Sequence, residues 1–158
     1  MRLVPLVVVA AIVLTAGGLA TAQQKDSAVS KHVAGSFDVK VIPQKDEGIG
    51  DPTVARMALD KVYHGALDAT GLGQMLAGMG AAKDSGTYVA IERVTGTLDG
   101  RKGSFAVHHV GVMDRGAQSL AITVIPDSGT EALTGITGSM TIEIKDGAHF
   151  YTFDYELP

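Results

Sequence analysis

Between Gly86 and Gly116 the chain reads GTYVAIERVTGTLDGRKGSFAVHHVGVMDRG, with apolar and polar residues taking turns at a period of two. That period belongs to a half-buried β-strand, whereas an amphipathic helix needs a repeat of 3.6. Two strands, Tyr88 to Leu98 and Phe105 to Met113, are expected to flank Gly100-Arg101-Lys102-Gly103, where glycines permit the positive φ of a tight turn. A carboxylate (Glu92) sits on one strand and an imidazole (His109) on the other.

The alternation recurs along the chain. Phe37, Val39 and Val41 alternate with Ser36, Asp38 and Lys40, and Pro43 to Pro52 is a charged, Gly-containing loop. Met57, Leu59, Lys61 and Tyr63 then alternate with Arg56, Ala58, Asp60 and Val62. From Leu67 to Ala82 the apolar residues would also suit a helix, but Gly71, Gly73, Gly78 and Gly80 would each cost roughly 1 kcal/mol there. A strand bent at its glycines fits better, with a helical turn around Gln74 to Met79 as the alternative. LAITVI (120–125), MTIEI (140–144) and HFYTFDYEL (149–157) supply the remaining strands. The turns PDSG (126–129) and KDG (145–147), and a bend bracketed by Gly135 and Gly138, separate them. About eight short strands at regular spacing, with no long helix between them, indicate an all-β barrel or sandwich. A closed antiparallel barrel has no exposed edge to protect, and at eight strands its interior is either filled or holds one small ligand.

The N-terminus has a different composition. Arg2 precedes an apolar core from Leu3 to Ala16, and Ala20-Thr21-Ala22 has the small-x-small pattern of a cleavage site. Residues 1–22 are therefore expected to be a signal peptide and the protein to be exported, to a periplasm or to the medium. The alternative is an uncleaved N-terminal membrane anchor, for which the run is short against the roughly 20 residues of a span. Residues 23–32 read as a flexible leader and 33–158 as one β-barrel domain. Loss of Arg2 takes the formal charge from −4 to −5, and no basic cluster offers a footprint for nucleic acid. With no Cys in the chain, the fold is disulfide-free and thiol chemistry is excluded.

Chemistry concentrates on one face. Arg93 is costly to bury, so its face points outward and Tyr88, Ala90, Glu92 and Val94 point inward. The bulky companions of His109 (Phe105, Val107, Met113) turn it inward too. A four-residue loop would place Glu92 diagonal to His109, a tighter register of the same parity would set them opposite, and a bulge at Gly103 would substitute His108. Lys61 shares its face with Met57, Leu59 and Tyr63, and so joins the interior as a counter-ion to Glu92 or an anchor for an anionic ligand. Lys61, Tyr88, Glu92 and His109 are the candidate ligand-binding residues. Glu92 and His109 are also the candidates for an acid–base pair. The same cluster could equally be a buried polar network that serves packing alone. His32, His64 and His149 lack ligand spacing, so no metal site or cofactor is expected. Neither a phosphate-binding loop nor a GxSxG elbow is present.

Taken together, YVAIERVTGTLDGRKGSFAVHHVGVMDRG, VIPDSGTEALTGITGSMTI and HFYTFDYELP, with GSFDVK and LDKVYHGALDATGLGQMLA upstream, resemble the bacterial family known as domain of unknown function 3224. The resemblance covers nearly all of the chain after residue 22, while the expected signal peptide departs from the compact members. That family is similar in fold to allene oxide cyclase, which implies a small antiparallel barrel with an apolar lumen. It supplies no catalytic residues to carry over, and fold alone transmits no activity. Three functions follow as expectations. The first is an exported barrel binding a small, mostly apolar molecule, with a lumen of roughly 300 Å³ or more. The second is a cyclase- or isomerase-like enzyme using Glu92 and His109. The third is a structural barrel filled by its own side chains. Val89, Ile91, Ala106, Val110 and Val112 would form an apolar outer face for a homodimer.

Overall fold

Three hairpins in this fold turn on two consecutive residues at positive φ: Asp99-Gly100, Arg115-Gly116 and Asp146-Gly147. This two-residue connection matches its own twist to that of the strands it joins. In a computed structural model, which describes residues 29–45, 48 and 50–158, the chain is almost entirely β. Its strands are β1 (Val29–Pro43), β2 (Val54–Gly65), β3 (Leu67–Met79), β4 (Gly86–Leu98), β5 (Arg101–Asp114), β6 (Ala117–Val124), β7 (Thr137–Lys145) and β8 (Ala148–Leu157). Each pairs antiparallel with the next and β8 returns to β1, so the eight strands close into a barrel.

Three expectations change in detail. The connection between β4 and β5 is Asp99-Gly100 alone, so Arg101, Lys102 and Gly103 belong to β5 and Leu98 pairs with Arg101. Asp-Gly suits both positive-φ sites without strain, so the second glycine is not needed for the turn. Gln74 to Met79 is strand throughout, as the bent-strand expectation has it, and the alternative helical turn is not formed. The first strand begins at Val29 rather than after residue 32, because Val29 to His32 pair with Leu157 to Asp154. Ala106 is buried rather than part of an outer face. The segment after β6 folds over it, with Ile125 N donating to Ala106 O at 2.8 Å and Ala106 N donating to Ser128 Oγ at 3.0 Å. The expected signal peptide, 1–22, and the leader up to residue 28 lie outside the described residues.

One end of the barrel is solid. Leu67, Leu98, Val124, Leu157 and the aromatic series Phe105, Phe153 and Tyr155 fill it, with ring centroids 5.5 Å and 5.3 Å apart. The excursion between β6 and β7 plugs this end through Leu133, on a single turn of 3-10 helix, and Ile136. Gly103 makes the plug possible, since a Cβ there would fall on the Thr130 carbonyl oxygen. The Asp99 carboxylate holds the rim by accepting from Tyr155 Oη at 2.7 Å and Lys31 Nζ at 3.3 Å. β6 and β7 pair only at Ile122–Met140 and Thr123–Ser139. Beyond those pairs the two strands separate toward the opposite end, where the barrel is open.

Candidate functional site

Strand parity brings the titratable residues together. Ala90 pairs with His109 and Glu92 with Val107, so Glu92 and His109 share the inner face as diagonal neighbours. On the other side of β4, Gly73 lies opposite Glu92, and Gly71 lies opposite both Lys61 and Val94. These two glycines, legible in the sequence only as bends, let β4 approach closely at Glu92: Gly71 makes room for its carboxylate and Gly73 for the backbone beside it. A Cβ on Gly71 would fall on Glu92 Oε1 and within 3.0 Å of the Tyr63 ring, and one on Gly73 would lie 3.2 Å from Glu92 Cβ.

Glu92 is fully buried, and Lys61 and His109 are only 4% and 3% exposed. Lys61 Nζ donates to Glu92 Oε2 at 2.7 Å and to Tyr63 Oη at 3.3 Å, and Tyr63 Oη donates to Glu92 Oε1 at 2.8 Å. His109 Nε2 stands 3.2 Å from Glu92 Oε2. That is within ion-pair range but off the line of a hydrogen bond, so this buried nitrogen has no hydrogen-bond partner. Burial is the largest single influence on the Glu92 carboxyl and raises its pKa. The His109, Lys61 and Tyr63 contacts together outweigh burial and hold the pKa below the ordinary 4.5. Burial, reinforced by the Glu92 charge, raises the Tyr63 hydroxyl far above its usual range, and Tyr88 shifts upward for the same two reasons. Tyr63 is therefore a fixed donor. Lys61 also lies 5.1 Å from the centroid of the Phe37 ring and 5.6 Å from that of Tyr63, inside the range of a cation–π contact.

Above this floor the barrel encloses a cavity of about 460 Å³. Its walls are mainly apolar (Val39, Leu59, Met75, Ile142 and others), and Lys61, Tyr88 and His109 border it. Leu120 on β6 and Ile142 on β7 also line it, so the cavity reaches the stretch where those strands part. Val41, Met79, Leu120 and Ile144 line it near the mouth and are solvent-exposed. Tyr88 packs across Gly111, where a Cβ would fall on its ring, and its hydroxyl makes no hydrogen bond among the described residues.

All four residues singled out in the sequence thus meet in one place, with a division between them. Lys61, Tyr88 and His109 border the cavity, whereas Glu92 lies under the floor and reaches it through its partners. His108 points outward and is exposed. Two participants were not foreseen. Tyr63 read only as part of an apolar face, yet its position two residues after Lys61 on the same face was the available signal. His149, set aside for its place near a strand end, borders the cavity with its ring 5.1 Å from Phe37. His32 and His64 lie on the exterior beside Asp154 and Asp38, at 2.6 Å and 2.9 Å. Among the described residues no group of three His, Asp or Glu is placed to hold a metal.

Comparison with known proteins agrees with this architecture. Residues 33–155 match the family described as protein of unknown function (DUF3224). The crystal structure of a protein with unknown function from that family, from Shewanella oneidensis MR-1, is 44% identical to this chain. It covers 82% of this chain and 100% of its own, with a TM-score of 0.75. No curated protein matches the chain.

Proposed function

We propose, from the premise that this chain belongs to the DUF3224 family of proteins of unknown function, that its barrel is a receptor for a small, mostly apolar molecule. The observation that carries the reading is the cavity of about 460 Å³ over a buried polar floor, a size and composition typical of ligand sites. An apolar body would replace water against Leu59, Met75 and Ile142, while a polar end would meet Lys61, Tyr88 and His109. Flexible thioethers at Met75, Met79 and Met113 let the walls adapt to different shapes. The test is native mass spectrometry of the protein purified from its own host. An extra mass that is lost on denaturation supports the receptor, and a bare chain from every preparation counts against it.

A cyclase- or isomerase-like activity is the second reading, favoured by the unmade hydrogen bond between His109 and Glu92, a contact that often tightens only when substrate is bound. His109 would touch the substrate and Glu92 would position it. Chemical conversion of the recovered ligand by the native protein, lost in His109→Ala, would support it; an unchanged ligand would exclude it.

The reading extends to export and to assembly. A mature protein beginning at Gln23 in the host's periplasmic or culture fraction is its expected form. On the outside, Leu72, Leu76, Val89, Ile91, Val110 and Val112 stand together on β3 to β5, each between 42% and 62% exposed. Leu76 pairs with Val89 and Val89 with Val110, which makes the patch continuous. Six such side chains expose on the order of 500 Å², close to the largest patch a monomer usually tolerates and short of the ~800 Å² each partner gives to a standard interface. A second copy meeting this face isologously, with polar neighbours at its rim, is the proposed cover.

A further inference from the structure

Resting on the receptor reading, we propose that the ligand carries no net charge and bears a carbonyl group, whose oxygen is held by Lys61 at the floor of the cavity. Charge sets the first limit. Lys61 is the sole Lys, Arg, Asp or Glu among the described residues that line the cavity, and its ammonium is already paired with the Glu92 carboxylate at 2.7 Å. Burial raises the Glu92 pKa, but the His109, Lys61 and Tyr63 contacts outweigh burial and hold it below the ordinary 4.5, so the carboxylate stays charged. The pair therefore has no net charge to offer. An anionic ligand would bring an uncompensated charge into an apolar space, and a cationic one would meet the Lys61 ammonium. A neutral ligand avoids both.

Hydrogen-bond demand sets the second limit. An ammonium has three N–H donors, and Lys61 gives one to Glu92 Oε2 at 2.7 Å and one to Tyr63 Oη at 3.3 Å. Beside the third lie the faces of the Phe37 and Tyr63 rings, with centroids 5.1 Å and 5.6 Å from Nζ. An oxygen is a stronger acceptor than a ring face, and Lys61 borders the cavity, so an oxygen arriving from the cavity takes that donor. His109 Nε2 stands 3.2 Å from the same Glu92 Oε2 and is buried without a hydrogen-bond partner. Both nitrogens approach one carboxylate oxygen, so a ligand oxygen near Nζ also lies beside Nε2. In the tautomer with its proton on Nε2, the imidazole donates to that oxygen.

A carbonyl meets these demands better than a hydroxyl. Its oxygen has two lone pairs for two donors, and it brings no donor of its own that would need a buried acceptor. The acceptors at the floor are already engaged, since Glu92 Oε1 takes the Tyr63 proton and Glu92 Oε2 takes one from Lys61. Around the carbonyl the walls ask for hydrocarbon, with Val39, Leu59, Met75 and Ile142 among them. At about 30 Å³ for each water-sized non-hydrogen atom, the cavity of about 460 Å³ holds about 15 of them. Lys61 is thus the residue that separates a neutral carbonyl compound from a bare hydrocarbon, and its pairing with Glu92 separates that compound from an acid.

Three naphthalenes of matched shape test this: methyl naphthyl ketone, naphthoate and isopropylnaphthalene, each titrated into the full-length protein at about pH 8, where naphthoate is ionised. The chain has no Trp, so naphthyl emission reports binding without overlap. The ketone is expected to bind at least about tenfold more tightly than naphthoate. In Lys61→Met/Glu92→Gln, which leaves no buried ion, the ketone is expected to weaken at least about tenfold, while isopropylnaphthalene changes by less than about threefold. The native ranking of ketone over naphthoate stands as evidence even if that variant fails to fold. Naphthoate bound as tightly as the ketone would mean a positive floor and overturns the proposal. A ketone indifferent to the double variant overturns it as well, and both results leave the receptor reading intact. No binding of any of the three, together with a bare native mass, overturns both.

Discussion

Glu92→Gln is the most informative substitution in this barrel, because it removes one charge and almost no volume. The native carboxylate is wholly enclosed and accepts from Lys61 and Tyr63. A glutamine can still accept from Tyr63, but it leaves the Lys61 ammonium buried without a counter-ion. Breaking such a pair from one side costs about 3–5 kcal/mol. Lys61 borders the cavity, and solvent there reduces the penalty, so the lower end, about 3 kcal/mol, is expected. At an unfolding entropy of about 2.1 cal/mol/K per residue over the roughly 130 described residues, that lowers Tm by about 11 °C. Removing the second charge as well, in Lys61→Met/Glu92→Gln, is expected to restore stability to within about 1 kcal/mol of native, because no ion remains to be solvated. Urea unfolding at pH 7 and differential scanning calorimetry measure both variants, and the double-mutant cycle isolates the coupling. If Glu92→Gln costs less than about 1 kcal/mol, or the double variant is as unstable as the sum of the singles, the cluster is not a coupled buried pair and the reasoning fails.

Other outcomes follow from the same contacts. Because the folded-state pKa of Glu92 lies below its ordinary 4.5, its ionised form contributes stability above pH 4.5, and that contribution is lost as pH falls through the folded value. Urea midpoints between pH 6 and 3 are expected to fall less steeply in the double variant than in the native protein, and parallel curves would contradict this. Gly71→Ala places a Cβ on Glu92 Oε1 and is expected to destabilise by about 1–3 kcal/mol, read by thermal melting. A neutral result would mean that the carboxylate has room to move. Ile91→Lys on the exposed outer face is expected to change monomer stability by less than about 0.5 kcal/mol while abolishing association in sedimentation velocity. A native protein already monomeric at high concentration refutes the dimer.

Much of the fold could be read directly from the chain, for a local reason. A period of two places residues on alternate faces whatever the strand's neighbours are, so Lys61, Tyr88, Glu92 and His109 could be assigned inward without knowing the topology. Eight strands with short turns and no helix left few ways to bury those faces. The Asp99-Gly100 turn was also present in the sequence, but the nearby Gly103 offered a rival hinge. Only the requirement of two consecutive positive-φ residues separates the two.

Contacts between distant strands were not legible in the same way. The parity of a strand says that Lys61 and Glu92 both face inward, but which atoms meet depends on barrel shear and on the third strand between them. Gly71 on β3 therefore had no visible purpose until Glu92 was seen to occupy its missing side chain, and Gly73 none until the Ile91–Glu92 backbone was seen packed against it. The same holds for His149, whose place near a strand end became a place on the cavity wall once β8 closed against β1. Ala106 passed from outer face to core because a loop some twenty residues later folds over it. The strands, their inner faces and the family are legible in the chain alone, since these follow from local periodicity and residue identity. Closure of the barrel decided that one half is solid and the other hollow, and that the polar cluster lies at the boundary between them, because volume and hydrogen-bond satisfaction are settled only when all eight strands are in place.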